Sequence, residues 1–118
     1  MGSANDYPVV VKSYELALWY IKKIATFPKS HRYTLGESIQ TELIALLMNL
    51  TEAIYSKDKI GFLRRANLNI EKIRLLTKLL VDLTVLSHKN RQFVGQSLVE
   101  VGSMVGGWSR QCMNKSAP

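Results

Sequence analysis

The segment KIGFLRRANLNIEKIRLLTKLLVDLTVLS, residues 59–87, decides the fold class. It contains no proline. The residues expected to face the core recur at alternating steps of three and four, which is the spacing of one helix face. These positions are Leu63, Ala66, Ile70, Ile73, Thr77, Leu80 and Thr84. A second stripe, Leu76, Leu79, Leu83 and Leu86, joins them in the C-terminal half, which indicates burial on two sides. We therefore predict one long helix from Lys59 to Ser87, with Asp58 as its N-cap.

Three further helices surround this segment. The first runs from Val9 to Phe27 and ends there because Pro28 follows; its apolar face is Val11, Tyr14, Leu18, Ile21 and Ala25. The second begins at Thr34, in a capping box with Glu37, and ends near Ser56. The fourth follows a loop at residues 87–90 and carries the heptad Val94, Leu98, Val101, Val105 and Trp108.

Short connections make neighbouring helices antiparallel. The fold class is therefore all-α, an antiparallel up-down-up-down four-helix bundle. We expect a single domain at residues 9–111, with flexible tails at 1–8 and 112–118.

A row of small residues lies on the fourth helix: Gly95, Val99, Gly102 and Gly106. A glycine costs about 1 kcal/mol against alanine in a helix interior, so the row needs a reason. It suits close approach by another helix backbone, either inside the bundle or in a second subunit, and both alternatives stay open.

Composition excludes several classes of protein. Hydrophobic residues make up 47% of the 118 residues, which is wrong for a disordered chain. The single cysteine, Cys112, excludes a disulfide-stapled fold, and no apolar run reaches the length of a membrane span. We expect a cytoplasmic protein with no membrane partner. The 16 Lys and Arg against 9 Asp and Glu give a net charge of +7, which favours a polyanionic partner.

The sequence contains few of the residue patterns that are typical of an active site. His31 and His88 both fall in predicted loops at one end of the bundle, and neither has a glutamate three residues before it, as a di-iron bundle requires. A metal site joining them is a weaker alternative than two solvated histidines. Cys112 has no histidine nearby in sequence, and a phosphate-binding glycine loop is missing. We expect no catalytic residue, no metal and no cofactor.

Basic residues on the third helix are the candidate binding site. Arg64, Arg74 and Lys78 share one face, and Arg65 and Lys72 form a second row. Glu71 and Asp82 interrupt the first face, so a salt-bridged, solvated surface is the competing interpretation.

A secondary basic end consists of Lys29 and Arg32 in the first loop with Lys89 and Arg91 in the third. Phe27 and Tyr33 flank it, either to stack on bases or to cap the core.

Six short motifs are distinctive: Phe27-Pro28-Lys29, Tyr33-Thr34-Leu35-Gly36, Ala66-Asn67-Leu68, Ile70-Glu71-Lys72-Ile73-Arg74, Glu100-Val101-Gly102 and Gly106-Gly107-Trp108. Together they resemble the accessory variability determinant (Avd) family of diversity-generating retroelements. The resemblance covers about residues 14–111 and extends, more distantly, to four-helix-bundle proteins of ribosomal-RNA intervening sequences.

The resemblance implies a non-enzymatic homopentameric barrel that binds the retroelement reverse transcriptase and nucleic acid, RNA or DNA. A basic pair of the family matches Arg74 and Lys78, whereas Arg64, Arg65 and Lys72 are carried over by charge and position. Our first hypothesis is such an accessory protein. The alternative is an oligomeric protein–protein scaffold that does not contact nucleic acid.

Overall fold

The computed structural model describes residues 3–116 and contains no strand within them. Its elements are a 3₁₀ turn at Ala4–Asp6 and the helices α1 (Pro8–Ile24), α2 (Lys29–Arg32), α3 (Leu35–Tyr55), α4 (Lys59–Asp82) and α5 (His88–Ser116). The four long helices confirm the all-α class and the four-helix bundle.

The long helices form a square in cross-section. Helix α1 packs on α3 and α5, and α4 packs on the same two helices, so α1 and α4 occupy diagonal corners. The bundle is elongated, 52 × 22 × 20 Å. Its axis is filled by fully buried side chains from all four helices, among them Leu16, Leu43, Ile73 and Leu98.

Polar side chains join the long helices in two places. The hydroxyls of Tyr20 and Thr77 are 2.8 Å apart and join the diagonal helices α1 and α4. Burial raises the pKa of the Tyr20 hydroxyl. Between α3 and α4, Asn49 donates to Asn69, which in turn donates to Glu42, at 2.8 and 2.9 Å. Because buried polar groups must find their partners, these contacts fix the register of α1 and α3 against α4.

The apolar face expected on the first helix turns outward. Val11, Tyr14, Leu18, Ile21 and Ala25 are all exposed. The buried residues of this helix form a second stripe instead: Val9, Val10, Ser13, Leu16, Ala17, Tyr20 and Ile24. Both stripes have helical spacing, so periodicity alone did not decide which one faces the other helices.

The start of α3 differs from the predicted capping box. Thr34 precedes the helix, but its hydroxyl donates to the Ser30 carbonyl at 3.3 Å and makes no cap hydrogen bond. The reason is that residues 29–32, predicted as a loop, form the short helix α2, whose carbonyls are within reach. Asp58 does cap α4, since its carboxylate accepts from the Gly61 amide at 3.2 Å.

Helix α4 ends five residues earlier than the predicted limit at Ser87. Thr84 takes φ 60°, and the amides of Thr84 and Val85 donate back to the carbonyls of Val81 and Leu80, both at 2.9 Å. This is the left-handed helix end that glycine usually provides. Because position 84 is a threonine and not a glycine, nothing in the sequence indicated that the helix ends here.

Parts of the segments predicted as flexible tails are ordered in the structure. Helix α5 continues to Ser116, and His88 and Lys89, predicted in a loop, begin it. At the other end, the Tyr7 ring stacks on Trp108 with centroids 5.6 Å apart. Of the predicted tails, residues 1–2 and 117–118 lie outside the described residues.

Candidate nucleic-acid interface

A groove between α4 and α5 brings two arginines from different helices together. Arg74 of α4 and Arg91 of α5 line a cavity of about 230 Å³ whose floor includes Gly95 and Leu98. Gly95 has no side chain to fill the groove, and a Cβ placed there would meet no atom within 4 Å. The groove is therefore open, apolar at its base and cationic at its rim.

The two central cations of the candidate site already have carboxylate partners. Arg74 pairs with Glu71, one turn earlier on α4, and Lys78 donates to Asp82 at 2.9 Å. The hydrogen bond from Lys78 holds the pKa of Asp82 below its usual value, and the positive charges of Lys78 and Arg91 act in the same direction. Both ion pairs are exposed, so water and salt screen them.

Other cations of α4 are without a carboxylate partner among residues 3–116. Arg64 lies on the same side of α4 as Lys78, fourteen residues earlier, and extends the basic side of the groove. Arg65 and Lys72, seven residues apart, lie on a different side of the helix. The Arg65 guanidinium is 5.0 Å from the centroid of the Phe62 ring, a cation–π contact. The structure thus divides the five predicted residues of this helix into two surfaces.

The secondary basic end is also divided. Arg32 is tied to its own turn, because it donates to the Phe27 carbonyl at 3.0 Å and its guanidinium lies 5.9 Å from the Tyr33 ring. Arg91 instead belongs to the groove. Lys29 and Lys89 are exposed at the end of the bundle where α2 and α5 begin.

The two aromatic residues at this end have different roles. Phe27 is buried, so of its two proposed roles the structure supports capping the core. Tyr33 is 60% exposed and remains accessible for stacking.

One lysine has a structural role that sequence reasoning missed. The Lys59 ammonium donates to the Ala53 and Ile54 carbonyls at 2.8 and 2.9 Å. These carbonyls belong to the last turn of α3, where carbonyl groups lack intrahelical partners. Lys59 therefore closes the α3–α4 junction.

The glycine row on α5 does not serve close packing inside the bundle. A Cβ at Gly95 or at Gly102 would meet no atom within 4 Å. Another helix of residues 3–116 does not come within contact distance of a Cβ at these two positions, so close packing inside the bundle does not explain them. The alternative of a contact with another subunit stays a prediction.

Metal ligands do not converge in the part of the chain that the structure describes. No group of three or more His, Cys, Asp or Glu side chains within residues 3–116 is placed to hold a metal ion. In the same range, no helix is both long and apolar enough to cross a membrane.

Comparison with known proteins identifies the family. The model of a protein family described as bAvd-like matches residues 9–112, nearly the whole bundle. No curated protein sequence matches the chain.

Proposed function

This chain belongs to the bAvd-like family, and we propose that it binds a reverse transcriptase and nucleic acid through a basic surface to support mutagenic reverse transcription. The family match confirms the resemblance to accessory variability determinants and indicates an accessory role in a retroelement. The protein would carry no active site and need no cofactor, and it would act in the cytoplasm.

The observation that carries the proposal is the groove between α4 and α5. Arg74 and Arg91 line it, and Arg64 and Lys78 lie along the same side of α4. A nucleic-acid backbone along this side would place phosphates beside four cations. Each phosphate neutralised releases condensed counterions, so binding weakens steeply as salt rises.

The ion pairs of α4 make these contacts conditional. A phosphate reaching Arg74 or Lys78 has to displace Glu71 or Asp82 from it. Both pairs are exposed and intrahelical, so exchange of one anion for another has a low barrier. The carboxylates would then keep the cations oriented while the surface is empty and would reduce binding to weakly charged ligands.

Assembly into a homopentamer would strengthen this interaction. One groove offers only a few phosphate contacts, but several grooves in one particle can engage a single long polyanion. Attachment at one groove raises the effective concentration of the strand at the next.

The test is the Arg74→Ala/Lys78→Ala double variant. Its affinity for a labelled single-stranded RNA, followed by fluorescence anisotropy across a salt series, should fall. The slope of log K against log salt should flatten by about 1.4, because about 0.7 is lost for each phosphate contact on a single strand. Co-purification with the reverse transcriptase of the same element should weaken, with the helical circular dichroism unchanged.

The matched control removes the same charge elsewhere. Lys22→Ala/Lys115→Ala takes two exposed lysines from α1 and from the end of α5, away from the groove. Equal losses in both double variants would show that net charge, and not this groove, governs binding. Unchanged binding in the Arg74/Lys78 variant would refute the site.

A second function is favoured by the same ion pairs. If Glu71 and Asp82 neutralise their partners under all conditions, the chain would be an oligomeric scaffold that contacts proteins alone. That function requires no RNA binding even at low salt, with assembly retained.

A further inference from the structure

The groove between α4 and α5 contains space that no side chain fills. Its α5 side consists of Gly95 and Val99 together with Val94 and Leu98, and its volume is about 230 Å³. Val94 and Leu98 are fully buried and form the floor, whereas Val99 is 57% exposed and forms an apolar rim. Pockets for drug-sized ligands measure roughly 300–1,000 Å³, so this smaller space suits a single ring system.

The floor of the groove offers apolar contact without a free hydrogen-bond donor. Thr77 carries the one hydroxyl among the lining residues, and it is buried. That hydroxyl donates to the Ile73 carbonyl at 2.7 Å and, since it has a single proton, accepts from the Tyr20 hydroxyl at 2.8 Å. A ring that enters the groove would therefore gain burial, but the floor would not read the polar groups on its edge.

Two arginines stand beside this apolar space, and their charge indicates what the ring belongs to. Arg74 and Arg91 both line the groove. The ion pairs within residues 3–116 do not include Arg91. Arg74 pairs with Glu71 through one nitrogen, and a contact of this kind leaves the flat face of the guanidinium available. Guanidinium groups stack on unpaired bases and bind phosphate, so an apolar space between two of them fits a nucleotide.

We propose that the groove takes one unpaired nucleobase of a single-stranded nucleic acid, with the base over Gly95 and the flanking phosphates on Arg74 and Arg91. The inference rests on the proposed function and adds the class of nucleic acid that the groove selects. A base in a duplex is stacked and paired and enters a pocket only at the cost of unstacking, whereas a single strand offers its bases directly. Because the floor has no free donor, recognition depends on strandedness and not on sequence.

The test is Gly95→Leu, which fills the groove and keeps both arginines. A Cβ at this position meets no atom within 4 Å, and leucine favours a helix more than glycine does, so the fold should be retained. Affinity for a labelled single-stranded RNA should fall about 5-fold or more, the lower end of the range for one stacked base. Affinity for a duplex of the same length should not change. The slope of log K against log salt should also stay, because the phosphate contacts remain.

The matched control is Gly102→Leu, the same substitution about two turns later on the same helix. A Cβ at Gly102 also meets no atom within 4 Å, and this residue does not line the groove. The control should bind the single strand and the duplex like the wild type. Both variants should keep the helical circular dichroism and the assembly state of the wild type in sedimentation velocity.

A fluorescent purine analogue within the strand reports on the base itself. Stacking on neighbouring bases quenches such an analogue, so its emission should rise when the wild type draws it out of the stack. At saturating protein, where affinity no longer matters, Gly95→Leu should lose this rise and Gly102→Leu should keep it. No rise with the wild type would overturn the proposal.

The other outcomes separate this inference from the proposed function. Unchanged single-strand affinity in Gly95→Leu, or an equal loss for the duplex or in Gly102→Leu, would overturn the inserted base and leave the phosphate contacts standing. A loss accompanied by disassembly would place a second subunit on Gly95 and would overturn it as well. A wild-type chain that binds neither the single strand nor the duplex would refute the proposed function itself.

Discussion

Replacing Asp82 by asparagine should convert a neutralised lysine into a phosphate contact. In the native protein the Asp82 carboxylate accepts a hydrogen bond from Lys78 at 2.9 Å. Because the pKa of Asp82 is lowered, the carboxylate stays ionised through the neutral and mildly acidic range, and acidification does not release the lysine. Asparagine keeps the shape and removes the charge. The residue ends α4, where a negative charge opposes the helix dipole, so the fold should be retained.

The size of the effect follows from counterion release. One additional phosphate contact on a single strand steepens the slope of log K against log salt by about 0.7. Between 50 and 200 mM salt, the advantage of the variant over the wild type should therefore shrink about 2.6-fold. Adding Glu71→Gln, which releases Arg74 in the same way, should raise the change in slope to about 1.4 and this factor to about sevenfold.

The assay is anisotropy of a labelled single-stranded RNA across that salt range, with Glu100→Gln as the control. Glu100 pairs with Lys12 at 2.6 Å between α5 and α1, and this contact lowers the pKa of Glu100. The control therefore removes one carboxylate and releases one lysine, but on a side of the bundle away from the groove. We expect no steeper slope from it.

Two results would refute the reasoning. Equal steepening in Asp82→Asn and Glu100→Gln would mean that the ligand responds to net charge and not to the groove. An unchanged slope in Asp82→Asn, with helical content intact, would mean that Lys78 does not meet a phosphate.

Three further predictions concern stability, measured by denaturant or thermal unfolding. Gly36→Ala should destabilise the protein by about 1–2 kcal/mol, because the new Cβ would lie 2.8 Å from the Ile24 Cγ2. Gly102→Ala has open space around it and should stabilise the protein by about 0.5–1 kcal/mol. The opposite order of stabilities would contradict the packing. Thr84→Gly should stabilise by about 0.5–1 kcal/mol by relieving φ 60°, and a loss of stability would argue against that conformation. Tyr20→Phe should cost about 1 kcal/mol at neutral pH. Because burial raises the pKa of Tyr20, the wild type should lose stability above pH 10, the unfolded value, and the variant should lose less; matching alkaline profiles would contradict this.

The helices were predictable because their signals are local. Proline, helical spacing and the Asp58 cap placed four long helices, and the i,i+3 and i,i+4 spacing of Arg74 and Lys78 to their carboxylates indicated the ion pairs. The end of α4 was missed because Thr84, a β-branched residue, holds a conformation that neighbouring hydrogen bonds impose.

The sequence by itself determined that the chain is all-helical, basic and a member of the bAvd-like family, since spacing, charge and short motifs are properties of the chain alone. Only the tertiary structure decided which of two apolar stripes on α1 faces inward. That choice depends on how α1 packs against the other helices. The hydrogen bond between Tyr20 and Thr77 shows that the stripe containing Tyr20 is the one that faces inward. The same holds for the groove: Arg74 and Arg91 are separated in sequence and become one surface because α4 and α5 pack side by side.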